Sequence, residues 1–207
     1  PYKETKNDDG GGGAILPTPA IGGVGLLDDY EHTAFAAFGA ANETILLVGG
    51  HQGHLGQSLW LRYLAGREDG PPPPVDLAVE RRNGDFVRAL IRGGKVNAVH
   101  DCSDGGLLVA VAEMALAGNV GATLSPDAAI PLHAWAFGED QGRYVLATAD
   151  GAAIVEAARA AGIAVTVIGR TGGDSIALDT GGTVSLDSLR KAHESFLPTL
   201  MAAPAEN

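Results

Sequence analysis

The stretch NAVHDCSDGGLLVAVAEMALAG, residues 97–118, decides how this chain is read. It predicts a short strand over 96–99, a polar turn over 100–104 and a long helix over 105–117. The helical part is apolar on every side except at Glu113, so other layers are expected to enclose it. Asp101, Ser103 and Asp104 crowd the turn, followed by Gly105 and Gly106. Carboxylates at a helix N-terminus gain from the dipole, and this end of a strand is where open α/β sheets place ligands. Such a set can orient a metal, a ribose or a substrate amide. Equally, Ser103 or Asp104 serves only as the N-cap, with the glycines allowing tight packing. The residues alone leave both readings open.

A second acidic turn, GEDQGR at 138–143, precedes the apolar run 144–148. One such turn means little. Two, each at the mouth of an apolar strand, predict a shared polar pocket built from Asp101, Ser103, Asp104, Glu139, Asp140 and Gln141.

A third candidate is the loop GGHQGHLGQS, 49–58, between the buried run ILLV at 45–48 and a helix over 58–65. A glycine-rich strand-to-helix loop can present backbone N–H groups to a phosphate. Neither the Walker pattern nor the dinucleotide fingerprint is present, and such loops are common without ligands. His51 and His54 lie three apart without a third ligand, which makes zinc a poor reading. Cys102 has no matching His/Asn set and reads as a buried thiol.

The rest of the chain supplies layers. Pro17 and Pro19 impose extended geometry, and Ile21, Val24 and Leu26 predict a strand. Four prolines at 71–74 stiffen a surface loop. Asp76 caps a helix to about 91, with Asn83-Gly84 predicting a kink or two pieces. A short helix over 130–137, a helix capped by Asp150 and a strand over 164–169 follow. Next come a hairpin over 175–178 and 183–186, and a last helix from Ser185 or Asp187 that ends near Phe196 before Pro198. Together these predict an α+β (mixed α/β) fold, a mixed β-sheet flanked by helices in one domain. The expected division is an arm over 1–13, a domain over 14–200 and a tail over 201–207.

Composition narrows the function classes. The 207 residues are 45% hydrophobic, enough for a real core, and the one cysteine excludes an internal disulfide. A formal charge of −11 repels phosphate backbones, so no nucleic-acid partner is expected. No signal peptide and no membrane span are recognised, which predicts a cytoplasmic protein.

Several motifs in order carry a family resemblance: ILPTPAIGGVG at 15–25, GHLGQS at 53–58, VHDCSDGGL at 99–107, FGEDQGRYVL at 137–146 and KAHESFLP at 191–198. With these the chain resembles the last domain of the phosphoribosylformylglycinamidine synthase synthetase (large) subunit family. The resemblance implies an ATP-dependent ligase of purine biosynthesis. It converts formylglycinamide ribonucleotide to formylglycinamidine ribonucleotide with ATP, magnesium (Mg2+) and ammonia from glutamine. It implies a subunit built from two aminoimidazole-ribonucleotide-synthetase-like units, each with an A-type and a B-type domain. This chain resembles the second B-type domain after a remnant of the A-type domain. Family members usually read Tyr-Asn-Glu-Thr where this chain has Tyr2-Lys3-Glu4-Thr5, and a Gly-Asn-x-Ser run is expected just upstream of Tyr2.

In the first B-type domain of the family, an Asp in the strand-turn-helix and a Glu-Ser-Gln run hold the substrate. Pseudosymmetry puts Asp101 and Glu139-Asp140-Gln141 in the matching positions. In this half the site is implied to be auxiliary, taking a structural nucleotide or nothing, with no catalytic residue and no metal ligand. The chain alone is expected to be inactive and to need no cofactor. Its implied partners are the upstream domains, a glutaminase subunit and a small bridging subunit, with self-association if an interface is left bare. The alternatives are a scaffold or interaction domain without a ligand, and a domain of another ATP-dependent relative such as selenophosphate synthetase or thiamin-phosphate kinase.

Overall fold

The computed structural model describes residues 5–6, 12–13, 20–27 and 29–202. The chain divides into two units, Pro1–Tyr30 and Glu31–Asn207. In the first, β1 (Thr5–Lys6) and β2 (Gly12–Gly13) form a two-residue antiparallel ladder. The rest of the expected arm, the proline-rich run at 14–19 and the end of the tail at 203–207 lie outside the described residues. The strand expected around Ile21, Val24 and Leu26 does not form; residues 20–27 have no regular element. Gly22, Gly23 and Gly25 leave too few side chains there to pack a strand.

The second unit is built on a seven-stranded mixed sheet. Its strands are β3 (Thr44–Val48), β4 (Ala98–Asp101), β5 (Ala122–Leu124), β6 (Tyr144–Thr148), β7 (Val165–Thr171), β8 (Ser175–Leu178) and β9 (Thr183–Ser185). They lie in the order β4-β6-β3-β7-β5-β8-β9, and only β5 and β8 run parallel. The expected hairpin is β8–β9.

Strand β3 explains the layering. Its residues alternate between faces, so Ile45 and Leu47 enter one core while Leu46 and Val48 enter the other. A continuous apolar run is what a strand covered on both sides requires. On the first face lie α3 (Gly106–Gly118), α4 (Leu132–Phe137) and α6 (Leu186–Glu194), packing Leu107, Val111, Met114, Trp135 and Leu186. On the second lie α2 (Leu77–Arg92) and α5 (Gly151–Ala160), with Val87, Leu90 and Ile154. Helices α1 (Leu59–Leu64) and α7 (Phe196–Ala202) complete the unit.

Four local expectations are corrected. Helix α2 runs unbroken through Asn83-Gly84: the buried Asn83 amide donates to the Gly142 carbonyl at 2.9 Å, and a Cβ at Gly84 would stand only 3.3 Å from the Tyr144 hydroxyl. Tertiary packing thus holds the helix where propensity argues for a break. Helix α3 is not enclosed all round, because Leu108, Val109, Ala112 and Leu116 line an apolar groove beside α6. The helix capped by Ser185 ends at Glu194, before Pro198 as expected, but it is not the last: α7 follows and carries Pro198 in its first turn, where a missing N–H costs nothing. The opening strand is β4, Ala98–Asp101, so His100 and Asp101 belong to the sheet rather than to the turn.

Candidate functional site

The sheet register brings three loops to one place. Tyr144 opens β6 and pairs with Asp101, the last residue of β4, and with Val48, the last residue of β3. Both neighbours run antiparallel to β6, so the turn after β4, the glycine-rich loop after β3 and the turn before β6 meet at one sheet end.

The turn before β6 holds the other two. Glu139 Oε1 accepts hydrogen bonds from the N–H groups of Leu59 and Gly105, both at 2.9 Å. These are the first residue of α1 and the N-cap of α3, so one carboxylate caps two helices. This overturns the expectation that Ser103 or Asp104 caps α3. The cap position is Gly105, at φ +82°, and no side chain of its own segment bonds there. The left-handed backbone at Gly105 and Gly106 brings the helix start beneath α4. A Cβ on Gly106 would lie 2.5 Å from the Gly138 carbonyl oxygen, which only glycine avoids.

Asp140 turns the other way. Its Oδ2 accepts from Gly53 N–H at 2.9 Å and His54 N–H at 3.3 Å, with His51 Nδ1 at 3.5 Å. Burial pushes the Asp140 carboxyl up, yet the His51 bond, the Arg143 charge and the two backbone donors outweigh it. The group is held well below the ordinary carboxylate range. The Arg143 guanidinium, with a fully buried side chain, donates to the carbonyls of Asp140 at 2.8 Å and Gly138 at 2.7 Å and contacts His51 Nδ1 at 2.7 Å. The N–H groups that made the 49–58 loop a phosphate candidate are therefore already engaged by the chain's own acid.

Between the turns lies a cavity of about 310 Å³. Asp101, Ser103, Asp104, Glu139 and Gln141 line it together with Glu80 and Tyr144. Five of the six expected pocket residues thus share one cleft. The sixth, Asp140, lines a neighbouring cavity of about 200 Å³ with Gln52, Asp76 and Glu80, and Gln141 borders both. A larger concavity of about 660 Å³, beside Thr123, Ser125 and Arg170, shares no residue with either turn.

Cys102 forms part of the floor. It is buried, and burial pushes its thiol up to about 11, with Arg143 lowering it and Asp101 raising it. A thiol so placed is a packing residue rather than a nucleophile. Among the described residues, no three His, Cys, Asp or Glu side chains are placed to hold a metal ion, and no helix is long and apolar enough to cross a membrane.

Sequence reading missed Arg143, Glu80 and Tyr144. Arg143 carried a local signal, since a basic residue just before a largely apolar strand needs buried partners. Glu80 carried none, because it reaches the cleft from α2.

Residues 40–179 match the family described as AIR synthase related protein, C-terminal domain. A curated relative, phosphoribosylformylglycinamidine synthase subunit PurL of Parvibaculum lavamentivorans, is 57% identical over 209 residues, which cover 99% of this chain. The chain spans only 28% of that relative's length. Among solved structures, the protein titled T. maritima PurL complexed with FGAR superposes with a TM-score of 0.64 at 17% identity, over 86% of this chain and 31% of that one. The structure titled PurLQS from Thermotoga maritima gives 0.62 at 18% identity, over 76% and 27%. At such identities the two structures speak for the fold.

Proposed function

This chain belongs to the family of AIR synthase related proteins, C-terminal domain, and from that premise we propose that it is the last domain of a phosphoribosylformylglycinamidine synthase synthetase subunit. The parent enzyme converts formylglycinamide ribonucleotide to the amidine in purine biosynthesis, with ATP, magnesium and ammonia drawn from glutamine. The observation that carries the reading is the 57% identity to a PurL subunit over 99% of this chain. The upstream domains are its first partners, and a glutaminase subunit and a small bridging subunit complete the assembly.

Within that subunit the domain holds its three-loop junction together and offers the 310 Å³ cleft as an auxiliary pocket. Asp101, Ser103, Asp104 and Gln141 face a ligand there. Glu139 and Asp140 act as internal fasteners through one carboxylate oxygen each. Phosphoryl transfer is almost entirely positioning and electrostatic stabilisation around a metal and a phosphate cradle. The N–H groups best placed for a cradle here are bonded to Asp140, so the isolated chain is expected to be inactive.

The test is a chimera in which this chain replaces the matching stretch of a PurL relative, produced in a cell whose own subunit is deleted. Growth without purines, with none from this chain alone, is the expected result. A folded chimera that does not support growth, or turnover of ATP and the amide substrate by the isolated chain with added ammonia, refutes the reading. For the pocket, calorimetry with ADP and magnesium on the chimera and on its Asp101→Asn variant decides: heat lost with the variant supports the site, and equal heats refute it.

A further inference from the structure

The loop at 49–58 has the parts of an oxyanion site. Gly53 lies at φ +75°, which points its N–H and that of His54 at a single acceptor. Successive N–H groups converging in this way make an anion-binding nest. Arg143 stands 3.9 Å from the same oxygen, Asp140 Oδ2, and its guanidinium is fixed by the Gly138 and Asp140 carbonyls. His51, with a side chain only 10% exposed, stands 3.5 Å away, its Nδ1 accepting from the Arg143 guanidinium at 2.7 Å. Its far nitrogen, Nε2, is buried and has no hydrogen-bond partner among the described residues.

We propose that the Gly53 and His54 N–H groups and the Arg143 guanidinium, steadied by His51, form an oxyanion nest whose resident ligand is the chain's own Asp140. Removing that carboxylate converts the nest into a site for inorganic phosphate or sulfate. Two backbone donors beside a guanidinium are a set suited to a tetrahedral oxyanion, and His51 Nδ1, accepting from Arg143 at 2.7 Å, holds that cation in place. Arg143 keeps carbonyl contacts that do not involve the Asp140 carboxylate, so the donors stay in place when it leaves. In the intact chain the nest is filled, and the cavity beside it is walled by Asp76 and Glu80. A nucleotide phosphate is therefore turned away from this loop, and any ligand at this sheet end is selected without a phosphate anchor there. The inference is independent of the parent enzyme's identity and survives if that reading fails.

The experiment compares this chain with its Asp140→Ala variant in phosphate and in chloride of equal ionic strength. It follows thermal unfolding and the amide resonances of Gly53 and His54. Phosphate is expected to raise the melting temperature of the variant and to shift those two amides saturably, while the unaltered chain binds it about tenfold or more weakly, the worth of one charge-assisted hydrogen bond. Equal responses in the two proteins overturn the proposal, as does a folded variant whose two amides stay still. Where the variant does not fold in chloride, refolding decides: recovery in phosphate alone supports the nest, and recovery in neither salt refutes it.

Discussion

Replacing Glu139 by alanine tests the junction at its centre. Glu139 Oε1 accepts from Leu59 and Gly105 N–H groups that start two different helices. Alanine leaves both donors without their partner at once. Loss of a helix cap costs about 0.5–2 kcal/mol, and a bond to a charged group about 1.5–3 kcal/mol. Glu139 is half-buried, so water rescues part of the loss, and a total of about 2–4 kcal/mol is expected. For a domain of this size that corresponds to a melting temperature roughly 5–12 °C lower. Urea unfolding followed by circular dichroism measures it, with an unchanged slope showing that the unfolded state is the same. Glu139→Gln keeps an acceptor and is expected to lose about half as much. Ser103→Ala and Asp104→Ala are the controls: neither side chain caps α3, so each stays within about 0.5 kcal/mol. The reasoning fails if Asp104→Ala costs as much as Glu139→Ala, or if Glu139→Ala costs less than about 0.5 kcal/mol.

Three further outcomes follow from the same geometry. The Asp140 carboxyl is depressed in the folded state, so its stabilisation is complete above the unfolded carboxylate value near 3.9 and is lost as pH falls below it. Acid unfolding of Asp140→Asn should accordingly be shallower below about pH 4 than that of the unaltered chain, and parallel curves count against the assignment. Cys102, at about 11, has only about a thousandth of its thiol ionised at pH 8, so Ellman's reagent should react slowly with the native chain and fully after unfolding; rapid native labelling contradicts its burial. Gly138→Ala places a Cβ 2.5 Å from the Gly53 Cα, backbone against backbone, and should cost more than about 3 kcal/mol by thermal unfolding or prevent folding.

Much of the fold was legible because it rests on local patterns. The run ILLV had to be a doubly covered strand, Asp76 and Asp150 cap the helices expected of them, and the 175–186 hairpin forms around its glycines. The misreadings share one cause. At Asn83-Gly84 local preference argues for a break and at 21–26 for a strand, yet packing, or its lack, governs both. At the start of α3 proximity favours Asp104 as the cap, whereas the bond to Gly105 N–H comes from Glu139, 34 positions further on.

The sequence by itself determined most of the elements, the acidic character of the two turns and the family, since periodicity, caps and ordered motifs are all written within short spans. Only the tertiary structure decided what the acids do. Pairing of Asp101 and Val48 with Tyr144 brings three distant loops together, and Glu139 and Asp140 then spend their charge on backbone N–H groups of those loops. No span of sequence records which carboxylate a distant N–H will meet. That depends on strand register, and here register turns two of six pocket candidates into fasteners.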